Sequence, residues 1–422
     1  MRITIIAFGS RGDVQPAVAL GKALKAEGHR IRILAGLNFK SWIERHGLEP
    51  IASQIDIQDL MESELGREWA EKGSNLFKQM HVVKKLNERT GWLAMSEAWT
   101  ACSDAEVIIS SFTSDIYALS FAEKLGVPLI STPLQPALYP TRSGAATMNA
   151  PLPHRESIFN FYFGRLFLEP FQWRLSAKMV NRFRQEVLSL RPQTRSDYLA
   201  AKRRLVTVQA YSCHVVPHAK DWPSTVQTTG FWFLEEQNDW TPPRELTEFL
   251  DSGERPICIG FGSMTGRNPQ RLMQTVSEAV RKTRKRAVLL SGWAGITDSK
   301  RDDNIFPLEA APHEWLYPRV AAAVHHGGAG TTAASLRAGV PTVVVPHLGD
   351  QPFWGKRVHS LGAGPKPISR KQLTSTALAL AIKEATTNQI MKRRAEELGS
   401  KIRAEDGLGR AVEIIEGYLS LY

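Results

Sequence analysis

Short β-branched runs alternate along this chain with longer stretches of helical spacing, beginning at the first residues. Ile3–Phe8 is an unbroken apolar run of strand length, Ala17–Glu27 repeats apolar positions at helical intervals, and Arg30–Ala35 is a strand again. The rhythm returns at Glu106–Ser110, Ile116–Leu125 and Pro128–Thr132. Strands separated by helices predict right-handed crossovers and a parallel, doubly wound α/β sheet. The second half restarts the pattern. Pro256–Phe261 and Ala287–Ser291 read as strands around a helix at Gln270–Lys282, and Ala321–His325 and Thr342–Pro346 as strands around a helix at Thr332–Ala338. Both halves end their first strand on Phe-Gly-Ser, at Phe8–Ser10 and Phe261–Ser263. The expectation is an amino-terminal domain over 1–235, a linker over 236–255, a carboxy-terminal domain over 256–400 and a helical tail over 401–422 that packs back on the first domain. Two such open sheets facing one another leave a ligand cleft at the carboxyl ends of their strands.

Gln135–Arg191 breaks the alternation and is dense in aromatics interleaved with Arg and His. Two readings stand: a helical hairpin packed on its own domain, or a wall of a hydrophobic acceptor pocket, with Tyr139, Phe159 and Phe163 among the lining candidates.

Composition narrows the class. The 422 residues are 43% hydrophobic and 23% charged, which is globular and excludes a disordered or fibrous chain. The first apolar run is shorter than the ~7–15 residues of a secretory signal, and no stretch approaches the ~20 of a membrane span. Three separated cysteines form no paired motif, which favours a reducing compartment and no zinc site. The expectation is a cytoplasmic protein, a monomer or weak dimer, without partner nucleic acid, since no such motif accompanies the basic residues. The net charge of +11 leaves room for peripheral contact with an anionic membrane. The densest basic run, Arg281–Arg286, reads either as a solvated helix end or as such a contact.

The candidate chemistry lies in Val324–Leu336. A strand ends at His325-His326, four small residues follow, and a helix begins near Thr331. Small residues let backbone N–H groups reach a ligand and the helix start adds partial positive charge, which makes an anion site suited to a diphosphate. Downstream, Asp350-Gln351 follow a buried strand and can hydrogen-bond vicinal sugar hydroxyls. Upstream, Ala310–Leu316 can offer backbone groups and a ring to a base. A metal on the two histidines lacks a third ligand at a supporting spacing.

These stretches resemble inverting, UDP-sugar-dependent glycosyltransferases with the GT-B fold, with wording closest to sterol 3-β-glucosyltransferases and bacterial relatives acting on lipids and antibiotics. The amino-terminal Gly9-Ser10-Arg11-Gly12-Asp13-Val14-Gln15-Pro16 resembles the same group. The resemblance implies two Rossmann-like domains and no cofactor or metal beyond the UDP-glucose donor substrate. It implies donor contacts from Ser10, Arg11, Asp13, Ser263, Ala311, His313, His326, Gly328, Ala329, Gly330, Thr331, Asp350 and Gln351, with Gln15 toward the acceptor. Plant members open their signature on a Trp where Ala310 stands here, and use an amino-terminal His base relayed by an acid where this chain has Phe112. Asp13 is therefore the candidate base; its competing role is a helix cap. The implied reaction moves glucose to a hydroxyl of a hydrophobic acceptor, a sterol first. Alternatives are an antibiotic or glycolipid acceptor with another activated sugar, a UDP-sugar epimerase, or a non-catalytic sugar-nucleotide binder. The aromatic insertion weighs against the epimerase, and Asp13 against the binder.

Overall fold

The computed structural model describes residues 1–55, 59–60, 63–64, 66, 76–235, 240–262, 269–290 and 303–422. The chain divides into two compact units. The first comprises Met1–Leu60, His81–Glu235 and Glu405–Tyr422, the second Met61–Met80 and Glu236–Ala404.

In the first unit, seven parallel strands are β1 (Arg2–Ile6), β2 (Arg30–Gly36), β3 (Glu49–Ser53), β4 (Val107–Ser110), β5 (Leu129–Ser131), β6 (Val206–Gln209) and β7 (Val226–Thr228). Their order is β3-β2-β1-β4-β5-β6-β7, so the winding reverses between β1 and β4. β1 is buried on both faces, and its Ile3 and Ile5 pack with Val14, Val18 and Leu24 of the Arg11–Ala26 helix. That helix begins six residues before the expected start. Pro16 lies inside this helix, where it forfeits one backbone bond. Trp232 and Leu234 are core residues beside Ile415 and Leu419. Two helices close the described chain, Gln389–Arg403 and Gly407–Leu419, parted at Asp406, whose carboxylate accepts from Gly409 N–H at 2.8 Å. The second of them packs on the Arg11–Ala26 helix, and its Glu416 meets His29 Nε2 at 2.7 Å.

Gln135–Arg191 is not a hairpin. Prolines at 133, 136, 140, 151 and 153 keep the chain irregular as far as Ser157. A single helical run follows, through Ile158–Phe163, a π-helical turn at Gly164–Leu168, and Glu169–Glu186.

The second unit repeats the plan with β8 (Ile257–Gly260), β9 (Ala287–Leu290), β10 (Ile305–Leu308), β11 (Ala322–His325) and β12 (Thr342–Val344), in the order β10-β9-β8-β11-β12. Here the winding reverses between β8 and β11, and β11 pairs in parallel with β8 on one side and β12 on the other. The basic run Arg281–Arg286 serves this unit's own packing. Lys282 Nζ donates to the hydroxyls of Ser375 and Thr376, Lys285 pairs with Glu254 at 2.6 Å, and Arg286 lies over the Phe249 ring. No helix among the described residues is long and apolar enough to cross a membrane.

Candidate active site

In doubly wound sheets ligands lie at the carboxyl ends of strands, where the winding reverses. The candidates after β1 and those after β11 lie at that point in their units, while those after β10 and β12 follow the sheet's edge strands.

In the first unit, Gly9-Ser10 turns the chain from β1 into the Arg11–Ala26 helix. Ser10 is the residue before the helix and Asp13 its third, so Asp13 is not the cap residue itself. Its Oδ2 accepts from Ser10 N–H at 2.8 Å and from Ser10 Oγ at 3.1 Å. Gly9 permits this, because its φ is +154° and a Cβ there would lie 2.2 Å from Asp13 Oδ2. The carboxylate is crowded by protein although the residue as a whole still reaches solvent. Loss of hydration raises its pKa above the ordinary carboxylate range, and the two Ser10 bonds oppose the rise. Arg11 and Gln15 engage one another, Arg11 Nε donating to Gln15 Oε1 at 3.3 Å, while the guanidinium lies over Trp42.

In the second unit, Gly327 takes a φ of +89° after β11, and the Ala329–Arg337 helix starts from Gly328. With no side chain on Gly328 to cap it, the first turn at Ala329, Gly330 and Thr331 presents its N–H groups outward, as an anion requires. His326 stands over this turn, between two glycines. A Cβ on Gly328 would lie 2.7 Å from His326 Nε2, and one on Gly262 would lie 3.3 Å from Cε1. Its Nδ1 is buried without a partner, as is Thr332 Oγ1 two positions past the helix's second residue. The preceding His325 is structural. Its Nδ1 accepts from Gly327 N–H at 2.9 Å, so the proton sits on Nε2, which faces Ser335 Oγ at 3.2 Å. Both nitrogens are thus spent, and the pair is not a metal-binding pair. Ser263 lies outside the described residues.

The sugar-binding candidates follow β12. Gln351 is buried and its Oε1 accepts from His347 N–H at 2.8 Å and Leu348 N–H at 3.0 Å, which fixes the loop. Only the amide's N–H₂ is left for a hydroxyl. Asp350 heads the Gln351–Ser360 helix, and its Oδ2 accepts from Trp354 Nε1 at 2.6 Å. Within Ala310–Leu316, residues 310–312 are loop and His313–Leu316 form a short helical turn. Ala311 is half-buried, His313 stacks on Tyr317 at 4.7 Å, and Trp315 packs against Trp240. The ring offered by the sequence for a base is therefore engaged within the unit.

Of the aromatic acceptor candidates, Tyr139 is a core residue whose hydroxyl donates to Lys202 O at 2.8 Å. Phe159 is exposed, and Phe163 is half-buried and stacked on Phe167. Tyr139 accordingly lines the interior, while the other two stand on a helix surface.

Two titratable residues escaped the sequence reading. Asp115 is enclosed by Ser110 Oγ at 2.5 Å and Ser131 Oγ at 2.6 Å, and burial pushes its pKa up to about 6. His347 is buried with both ring nitrogens unpartnered, and burial pushes its pKa down to about 3, helped by Arg370 and His326. Its position three residues after β12 is the signal that could have marked it.

Burial likewise pushes His326 down to about 4 and His325 well below its ordinary range. All three histidines are thus neutral at pH 7, and His326 meets an anion as a neutral donor. The unfolded chain takes up these protons near pH 6.5 and the folded chain does not. Stability is therefore complete above pH 6.5 and falls as the pH drops, by about 1.4 kcal/mol per pH unit for each such histidine. Thermal unfolding should show the second unit's midpoint falling steeply from pH 6.5 to about 4.5, and less steeply in His347→Leu. Identical slopes in the two proteins would contradict the assignment of His347.

Residues 3–138 match the Glycosyltransferase family 28 N-terminal domain, and residues 297–413 match the Erythromycin biosynthesis protein CIII-like, C-terminal domain. The protein named sterol 3-beta-glucosyltransferase in Neosartorya fischeri is 38% identical over 98% of this chain and 29% of its own length. Its Neurospora crassa namesake is 37% identical over 98% of this chain and 27% of its own. The chain thus spans less than a third of these curated relatives. The solved structure of CalG4, the calicheamicin glycosyltransferase, covers 100% of this chain and 98% of its own with a TM-score of 0.70 at 19% identity. The Streptomyces sp. SF2575 glycosyltransferase SsfS6, complexed with thymidine diphosphate, covers 99% of both chains with a TM-score of 0.62 at 18% identity.

Proposed function

From the premise that this chain belongs to the GT-B glycosyltransferases, by the domains of both its halves and its fold, we propose that it transfers glucose from UDP-glucose to a hydroxyl of a hydrophobic acceptor. The 3β-hydroxyl of a sterol is the acceptor the similar sequences favour, and the transfer proceeds with inversion at the anomeric carbon. The observation that carries the reading is the first turn of the Ala329–Arg337 helix, a row of N–H donors with no side-chain cap, with the Nε2 side of the His326 ring beside Gly328. A diphosphate fits that donor set. Charge grows on the diphosphate as the glycosidic bond breaks, and donors fixed in advance stabilise it without reorganising. Asp350 and the Gln351 amide N–H₂ hold the glucose hydroxyls. Asp13 takes the acceptor proton as the hydroxyl attacks, and its raised pKa brings a carboxylate closer to the working pH of a general base. Ser10 aims that carboxylate through its two hydrogen bonds.

A donor series tests the reading. With a sterol acceptor, kcat/KM for UDP-glucose is expected to exceed that for TDP-glucose or UDP-galactose by about tenfold or more. A preference for TDP-glucose would favour the antibiotic-type reading instead.

A further inference from the structure

The helical segment Ile158–Leu168 carries its apolar side outward. Asn160 is fully buried on the inner face, where its Nδ2 donates to the carbonyls of Arg142, Leu152 and Arg155 at 3.0, 3.2 and 2.8 Å and its Oδ1 accepts from Leu152 N–H at 3.1 Å. Gly164, four residues on, sits so close to the chain that a Cβ would lie 3.0 Å from Pro140 Cα. On the opposite face Ile158, Phe159, Tyr162, Leu166 and Phe167 are each between 42 and 68% exposed. A surface helix that packs on its own unit places such residues inward. Here the Asn160 bonds forbid that rotation, because turning the helix would orphan them in the interior.

The surroundings identify what covers this face. Between Arg142 and Glu186 the sequence holds seven Lys and Arg against three Glu. Glu169 is paired with Arg165 at 2.8 Å and Glu186 with Arg182 at 2.9 Å, while Arg155, Arg174 and Lys178 are exposed. An exposed stripe of Phe, Tyr, Leu and Ile flanked by cations is complementary to an anionic lipid surface, where the rings lie at the headgroup boundary and the cations meet phosphates. We propose that the outer face of Ile158–Leu168 docks on an anionic bilayer. The proposal does not depend on glycosyl transfer and is tested without sugar nucleotide or acceptor.

The full chain is sedimented with vesicles of phosphatidylcholine alone and with vesicles containing about one quarter phosphatidylglycerol. Binding to the anionic vesicles is expected to be at least about tenfold the stronger. The double variant L166S/F167S is expected to lose at least about tenfold of it. Its melting temperature should change little, since both side chains are more than half exposed and only the Phe163–Phe167 stack is lost. Wild-type vesicle binding by L166S/F167S would overturn the proposal. So would a wild-type dimer that the variant dissolves while vesicle binding persists, because a second copy would then occupy the face.

Discussion

Asp13→Asn is expected to lower the rate of glucosyl transfer by about two to four orders of magnitude while leaving folding and donor affinity close to wild type. The substitution separates the two roles that Asp13 holds. An asparagine Oδ1 still accepts from Ser10 N–H, so the start of the Arg11–Ala26 helix stays satisfied, but the amide cannot take a proton at neutral pH. Asp13→Ala loses both roles and should also lower the melting temperature, by the equivalent of about 1 kcal/mol. Steady-state kinetics beside thermal unfolding of the two variants checks the prediction. An Asp13→Asn protein with wild-type kcat would remove Asp13 from the chemistry and leave it a purely structural residue.

The second large effect is expected at His326. Its removal as His326→Ala should lower kcat by about 10²–10³, the range for losing one pre-aligned donor to a developing negative charge. Because the ring is neutral at pH 7, the lost contact is a neutral hydrogen bond, and the defect should hardly vary between pH 6 and 8. The His326 ring also separates Gly262 from Gly328, so truncation leaves a space beside the helix start and UDP affinity should weaken with it. Isothermal titration with UDP, beside kcat, distinguishes the two contributions. Unchanged UDP affinity together with unchanged kcat would contradict the placement of the diphosphate at this turn.

Much of this architecture was legible in the chain. Strand runs such as Ile3–Phe8 and Ala321–His325 are buried on both faces, so they stand out as continuous apolar stretches that neither helix nor loop imitates. The helix start after His326 was legible for a related reason, since small residues following a strand have few uses other than a close backbone approach. What escaped depended on distant partners. Nothing local says that Gln351 spends its oxygen on two loop amides, that Trp315 is covered by Trp240, or that Trp232 and Leu234 complete a core with residues near the carboxyl terminus. The region after Gln135 misled for another reason. A helical hairpin was one of its two readings, but the prolines at 136, 140, 151 and 153 leave a single helical run, and the apolar face of its first part, Ile158–Leu168, points outward. Asp13 lay between these cases. Its presence near the helix start was visible, but only the backbone showed Ser10 before the helix and Asp13 reaching back to it.

The most direct test of the central claim is mass spectrometry of acceptor products after incubation with UDP-glucose and a panel of cholesterol, ergosterol, a plant sterol, a macrolide and a hydroxy fatty acid, with Asp13→Asn run alongside. One added hexose on the sterols, nearly absent with Asp13→Asn, is the expected result. Hexose on the macrolide or fatty acid alone, or no product from any acceptor despite tight UDP binding, would contradict it.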